Sequence, residues 1–194
     1  MELTPTRDRI FQAARDLFDH DGEAGLSMRR IGTMVGITPM AIYKHYADKD
    51  ALLNALMLDG FAAWEARVAT IAEPDPVRWL GRLTEAFLDF ALEQPRRYEA
   101  AFLLRASAAR QYPQDFAEGR SPVMRQAHAR IEAARAAGRL GTESAVDFGL
   151  AMSALCQGLV SMYRAGRLAS EAEFRAAYRR AVRHCLFSSV RGAD

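Results

Sequence analysis

Along nearly the whole chain apolar residues recur three and four places apart, and no sustained alternation of period two marks a strand. Proline and glycine cut the pattern into segments of ~10–25 residues, so the chain is expected to be all-α. With 194 residues, 50% of them hydrophobic, it can bury a core and has room for one large domain or a small one joined to a medium one. Disorder is excluded as the default.

The formal charge is only +2, from 26 Lys and Arg against 24 Asp and Glu. That balance excludes a polybasic coat that clings to any nucleic acid or acidic membrane, so a nucleic-acid site here must be a local concentration of charge. The opening residues, Met1 to Pro5 followed by Arg7, Asp8 and Arg9, supply neither the apolar stretch nor the cationic lead of a secretion signal, and no apolar run approaches the ~20 residues of a membrane span. A cytoplasmic chain without a membrane partner is expected. Cys156 and Cys185 lack a CxxC partner and read as core thiols. His20, His45, His128 and His184 show no metal-ligand spacing, and nothing resembles GxSxG or a phosphate-cradling glycine loop. No catalytic residue, metal or cofactor is assigned.

The first helix opens at Thr4-Pro5, with Thr4 as cap and Pro5 at the first helical position, and puts Ile10, Ala13, Ala14, Leu17 and Phe18 on one stripe before Asp21-Gly22 stops it. The next stretch is more specific. Ser27 caps a short helix carrying Ile31 and Met34, Val35-Gly36-Ile37 turns the chain, and Thr38-Pro39 opens a second, very short helix. Gly36 suits a positive φ, and Gly32 is small enough for the two helices to cross closely. Ile31, Val35, Ile37 and Ile42 face one another across the turn, leaving Pro39, Met40, Ala41, Tyr43 and Lys44 pointing away. This is a helix-turn-helix pattern, whose second helix enters the major groove of DNA. Residues 1–50 hold seven Lys or Arg against eight Asp or Glu, yet residues 27–49 hold four (Arg29, Arg30, Lys44, Lys49) against one. Such segregation suits a module that touches DNA with one edge.

The blocks Leu26-Ser27-Met28-Arg29-Arg30-Ile31-Gly32, Val35-Gly36-Ile37-Thr38, Ile42-Tyr43-Lys44-His45-Tyr46 and Asp48-Lys49-Asp50-Ala51-Leu52-Leu53 resemble the TetR family of bacterial transcriptional regulators in order, spacing and chain position, over about residues 7 to 57. Gly32 stands where the family usually has Ala, Tyr46 for Phe and Ser27 for Thr. The resemblance implies a three-helix helix-turn-helix head, residues 1–50, and a helical-bundle body for ligand binding and dimerisation, residues 51–194. By the same resemblance the DNA contacts fall to Ser27, Arg29, Thr38, Pro39, Met40, Ala41, Tyr43, Lys44, His45 and Lys49. Pro39, Met40, Ala41 and Tyr43 lie near base edges, with Met40 and Ala41 suited to thymine methyls, while Thr38, Tyr43, Lys44, His45 and Lys49 meet phosphates. Tyr46 reads as core, four residues after Ile42 on one stripe.

The rest of the chain divides into a helix from Asp48 bearing Leu53, Leu56, Phe61, Trp64, Val68 and Ile71 up to the break Glu73-Pro74-Asp75-Pro76, a second over Val77–Glu93, and a third from Pro95 to Leu103. A loop spans Tyr112 to Gly119. Helices then run from Ser121-Pro122 to Gly138, from Asp147 to Arg164 and from Ser170 to Val190, the last with the capping box Ser170-x-x-Glu173. The Asp147–Arg164 segment is apolar over more than one face, and in the family the last two helices form a four-helix interface with their copies. The family also implies a small-molecule effector. Its expected lining is Phe61, Trp64, Phe87, Phe90, Tyr98, Phe102, Met124, His128, Met152 and Gln157, a mixture suited to a largely apolar molecule with one or two polar groups. The expected function is a homodimeric repressor released from a palindromic operator by that effector. The alternatives are a carrier or enzyme that uses the bundle pocket, or a bundle that serves protein interaction alone.

Overall fold

The computed structural model describes residues 5–112, 114–142 and 144–188, and every regular element among them is helical. In chain order these are α1 (Thr6–Asp21), a single 3-10 turn (Glu23–Gly25), α2 (Met28–Val35), α3 (Pro39–Tyr43), α4 (Lys49–Ala69), α5 (Pro76–Glu93), α6 (Pro95–Phe102), α7 (Gln114–Ala117), α8 (Pro122–Ala136), α9 (Ala145–Arg164) and α10 (Glu171–Ser188). The chain forms two compact units. One contains residues up to Trp64 together with 94–109, and the other contains Glu65–Glu93 and the chain from Arg110 onward.

In the first unit the stripe of α1 is buried as its period requires, from Ile10 to Phe18, and meets Ile31, Val35, Ile42 and Tyr46 in one core with Leu52, Leu53, Leu56 and Met57 of α4. Helix α1 begins one residue later than its sequence suggests. Pro5 lies in front of the helix with ψ at 143°, and Thr6 is the first helical residue; Thr4 lies outside the described residues. Asp48 caps α4, its Oδ1 accepting the Ala51 N–H at 2.7 Å. The chain re-enters this unit through α6, which crosses α4 at Gly60, where a Cβ would lie 2.7 Å from the Arg97 carbonyl oxygen.

In the second unit α10 packs on α9 and α5. Phe174 stacks on Tyr163 with ring centroids 4.4 Å apart, and the buried Tyr178 hydroxyl donates to the Thr84 carbonyl at 2.8 Å. Ser121 and Ser144 cap α8 and α9, accepting from Met124 N–H and Asp147 N–H. Ser144 thus sets the start of α9 at Ala145, two residues before the expected Asp147. Helix α4 stops at Ala69 because its last N–H groups, on Thr70 and Ile71, reach back only three residues, so Ile71 lies in the following loop rather than on the helical stripe. Leu103 likewise falls just beyond α6 and is exposed, and the loop after Tyr112 carries the single turn α7. The expected end of the last helix, Val190, lies outside the described residues.

Helix α9, with 20 residues, is long and apolar enough by length and composition to cross a bilayer, a test that the core helix of a bundle also passes. Asp147 and Gly149 do not interrupt it, because a helix tolerates one charge in its first turn and one glycine. Of the most apolar 18-residue stretch of α9, 33% is buried inside the chain. Phe148, Met152, Cys156 and Val160 are covered, while Leu150, Ala151, Ala154, Gly158, Ser161 and Met162 face outward.

Candidate nucleic-acid interface

Helices α2 and α3 join through Gly36, which adopts φ 77° and ψ 34°, a left-handed conformation that a side chain would strain. The Gly36 and Ile37 N–H groups both donate to the Gly32 carbonyl at 2.9 Å. At Gly32 an added Cβ would stand 2.7 Å from the Ile37 carbonyl oxygen, so this glycine permits the close crossing. From α1, Arg9 donates to the Val35 carbonyl at 2.6 Å and closes the end of α2. Thr38 Oγ1 accepts the Ala41 N–H at 3.3 Å, Pro39 follows at the first helical position, and Ile42 is fully buried. Together these contacts fix α3 and decide which of its residues face outward.

The outward set is Thr38, Pro39, Met40, Tyr43, Lys44 and His45, all exposed, with Ala41 half-buried. Met40 is 71% exposed and Tyr43 45%. Arg29 and Lys49 are also exposed, one at the start of α2 and the other at the start of α4. A surface notch of about 330 Å³ lined by Leu17, Arg29, Arg30, Thr33 and Met34 lies beside α2. Arg30 is engaged there, pairing with Asp21 at 2.7 Å and donating to the Gly25 carbonyl at 3.1 Å. Sequence periodicity does not distinguish it from Arg29; the 3-10 turn that brings Asp21 and Gly25 beneath it does. Ser27 occupies the N-cap position of α2 half-buried, but its side chain makes no capping bond there, unlike the expectation. Tyr46 is buried, with the Arg7 guanidinium 5.3 Å above its ring.

The ten residues expected to line an effector pocket divide between the units. Phe61, Trp64, Tyr98 and Phe102 come together in the first, where Phe102 meets the Phe61, Trp64 and Tyr98 rings at centroid separations of 5.9, 6.2 and 5.4 Å. Phe87, Phe90, Met124, His128, Met152 and Gln157 belong to the second. There His128 and Met124 of α8 press on α9 at Gly149, where a Cβ would lie 3.0 Å from His128 Nε2. That nitrogen is buried without a hydrogen-bond partner among the described residues, and burial holds the imidazole below the usual histidine pKa, with Glu132 opposing weakly. The Cys156 thiol is pushed up to about 12 by burial, which fits an inert core thiol. No group of three metal-ligating side chains forms among the described residues.

Comparison with known proteins places both parts of the chain. Residues 10–56 match the family described as bacterial regulatory proteins, tetR family, and residues 80–185 match the tetracyclin repressor-like C-terminal domain. The chain is 31% identical over 93 residues to the HTH-type transcriptional regulator UidR of Escherichia coli (strain K12), a match covering 47% of this chain and 46% of that protein. It thus spans about half the length of the curated relatives it matches first. A solved protein of unknown function from Rhodococcus sp. RHA1 is similar at 25% identity and a TM-score of 0.72, over 95% of this chain and 97% of that one. RolR, solved in complex with its ligand resorcinol, shares the fold at 17% identity and a TM-score of 0.64, over 97% and 95% of the two chains.

Proposed function

Because the chain belongs to the TetR family of helix-turn-helix transcriptional regulators, we propose that it works in the cytoplasm as a homodimeric repressor, held on a palindromic operator and released from it by a small, largely apolar effector. Residues 1–50 carry the DNA contacts and residues 51–194 carry ligand binding and dimerisation. The observation that carries the reading is the outward face of α3, with Met40 and Tyr43 exposed, followed in the chain by exposed Lys44 and His45, and with Arg29 and Lys49 exposed at the starts of α2 and α4. An exposed apolar strip with Lys and Arg side chains on the same helix-turn-helix segment suits a major groove, whose floor of base edges runs between two phosphate backbones.

Pro39, Met40, Ala41 and Tyr43 meet base edges in this reading, while Ser27, Arg29, Thr38, Lys44, His45 and Lys49 hold the backbone. So few base contacts from a five-residue helix discriminate weakly. Two copies reading half-sites about one helical turn (~34–36 Å) or more apart supply the rest. The outward face of α9, with α10 beside it, is the surface for that pairing. Phe61, Trp64 and Tyr98 gathered on Phe102 in one unit, and the set around His128 in the other, are two separate candidate linings. RolR of the same fold holds resorcinol, a small aromatic diol, which is the class of molecule such a lining suits. Differential affinity for two head arrangements then shifts occupancy of the operator.

Sequencing the genomic fragments that co-purify with the protein supplies an operator for titration. Affinity that falls steeply with salt is expected, with Lys44→Ala lowering the salt slope by about 1 per half-site and Tyr43→Ala weakening binding at every salt concentration. Undiminished affinity in both variants overturns the assignment of the reading helix. Turnover or tight small-molecule binding without any duplex affinity favours the carrier or enzyme.

A further inference from the structure

The described residues include nine large hydrophobic side chains that are markedly exposed, and three of them, Met34, Met40 and Tyr43, fall within ten residues of the helix-turn-helix. Met40, at 71%, is the most exposed of the nine. Ile42, and not Met40, supplies the contact of α3 with the core. The helix reads Pro39-Met40-Ala41-Ile42-Tyr43, with no guanidinium, amide or carboxylate. Ile42 is turned into the core, and Thr38 is occupied in accepting the Ala41 N–H. The face therefore lacks the forked donors and acceptors that tell base pairs apart by hydrogen bonding. The one apolar feature that a major groove offers is the methyl group on pyrimidine C5, which marks thymine and 5-methylcytosine alike and is absent from cytosine and uracil.

We infer that Met40, with Ala41 beside it, reads pyrimidine C5-methyl groups, so that operator occupancy responds to methylation of cytosine at the positions it touches. This rests on the duplex-binding reading above and adds to it a chemical basis for base choice. Charge complementarity argues for duplex as the occupant, because Lys44 and His45 follow the strip directly and Arg29 and Lys49 stand exposed at the neighbouring helix starts. A side chain without a hydrogen-bonding head is blind to the exchange of O4 for N4–H that separates thymine from 5-methylcytosine. It loses its contact when the methyl group alone is removed.

Duplexes enriched from a random pool by the intact protein provide the probe. Four versions of the best duplex are compared at the thymine positions of each half-site, carrying T·A, U·A, C·G or 5-methyl-C·G. Loss of one buried methyl weakens binding about fourfold, and loss of one in each half-site about fifteenfold. Uracil and cytosine versions are expected to bind that much more weakly, and 5-methylcytosine to restore most of the loss. In Met40→Ala the ratio of thymine to uracil affinity should fall toward one while the salt slope is kept, an outcome that a merely structural role for Met40 does not produce. Equal binding of thymine and uracil duplexes by the unaltered protein, or 5-methylcytosine no better than cytosine, overturns the inference and leaves duplex binding standing. Enrichment of no duplex, or a preference for phosphatidylglycerol vesicles, overturns both.

Discussion

Residues of one chemical type take different roles here according to what the backbone puts beside them. Ser27 and Thr38 both occupy N-cap positions, yet only the Thr38 side chain makes the capping bond. Arg29 and Arg30 are neighbours, but Arg30 is spent on Asp21 and Gly25 while Arg29 is left at the surface of the head. His128 presents the sharpest case. In the sequence it is one polar residue on a helical stripe; in the structure its Nε2 is buried at the Gly149 crossing with no hydrogen-bond partner among the described residues. Its folded pKa lies below its unfolded value near 6.5, so the stability associated with the neutral ring is complete above that value and is lost as pH falls through the folded pKa. Thermal unfolding of the full chain should thus fall in midpoint between pH 7 and pH 5, and His128→Gln should flatten that slope. An identical slope in the variant would place the titration elsewhere.

At the scale of elements, the first two turns of α4 are locked to the segment after α6. Asp50 accepts from the Ser107 hydroxyl at 2.5 Å and from its N–H at 3.3 Å; Asn54 donates to Asp50 and to Ser107, and its Oδ1 accepts the Ala108 N–H at 2.8 Å. Those partners are more than fifty residues apart in sequence, so no local pattern reveals them, although the cap at Asp48 and the start of α4 are legible from Asp48-Lys49-Asp50 alone. The clasp binds 105–109 into the same compact unit as the helix-turn-helix. Replacing Asn54 with Ala removes the partner of the Ala108 N–H, and amide exchange over 105–109 is expected to accelerate while exchange within α1 and α2 stays unchanged. Unaltered exchange at Ala108 would mean that the clasp does not hold in solution.

For the whole molecule, the α9 surface carries the largest consequence. This helix buries one face, through Phe148, Met152, Cys156 and Val160, and leaves Leu150, Ala151, Ala154 and Met162 exposed on the other; under the dimer reading that exposed face meets its copy. Ala151, Ala154, Gly158 and Ser161 let backbones approach along the exposed face. At Gly158 a Cβ would meet nothing within 4 Å, so a side chain there disturbs nothing inside the chain. Gly158→Arg should therefore leave helix content intact, shift sedimentation from dimer to monomer and weaken operator binding, since one head no longer brings the other with it. A variant that remains dimeric would move the pairing surface off this face.

What the sequence determined by itself is local. Apolar spacing, Thr38-Pro39 and the glycines at 32 and 36 specify the helices and the turn, because each depends on neighbours close in sequence, whereas the outward face of α3 also depends on Arg9 and the α1 core that hold it. The tertiary structure decided what meets what. Periodicity says that Phe61, Trp64, Phe87 and Phe90 turn away from water, yet not that the first two fall in one compact unit and the last two in the other, nor that 94–109 rejoins the head. Burial is written into the chain as a pattern of residue types, whereas the identity of the burying partner depends on contacts between residues far apart in sequence, which folding alone brings together.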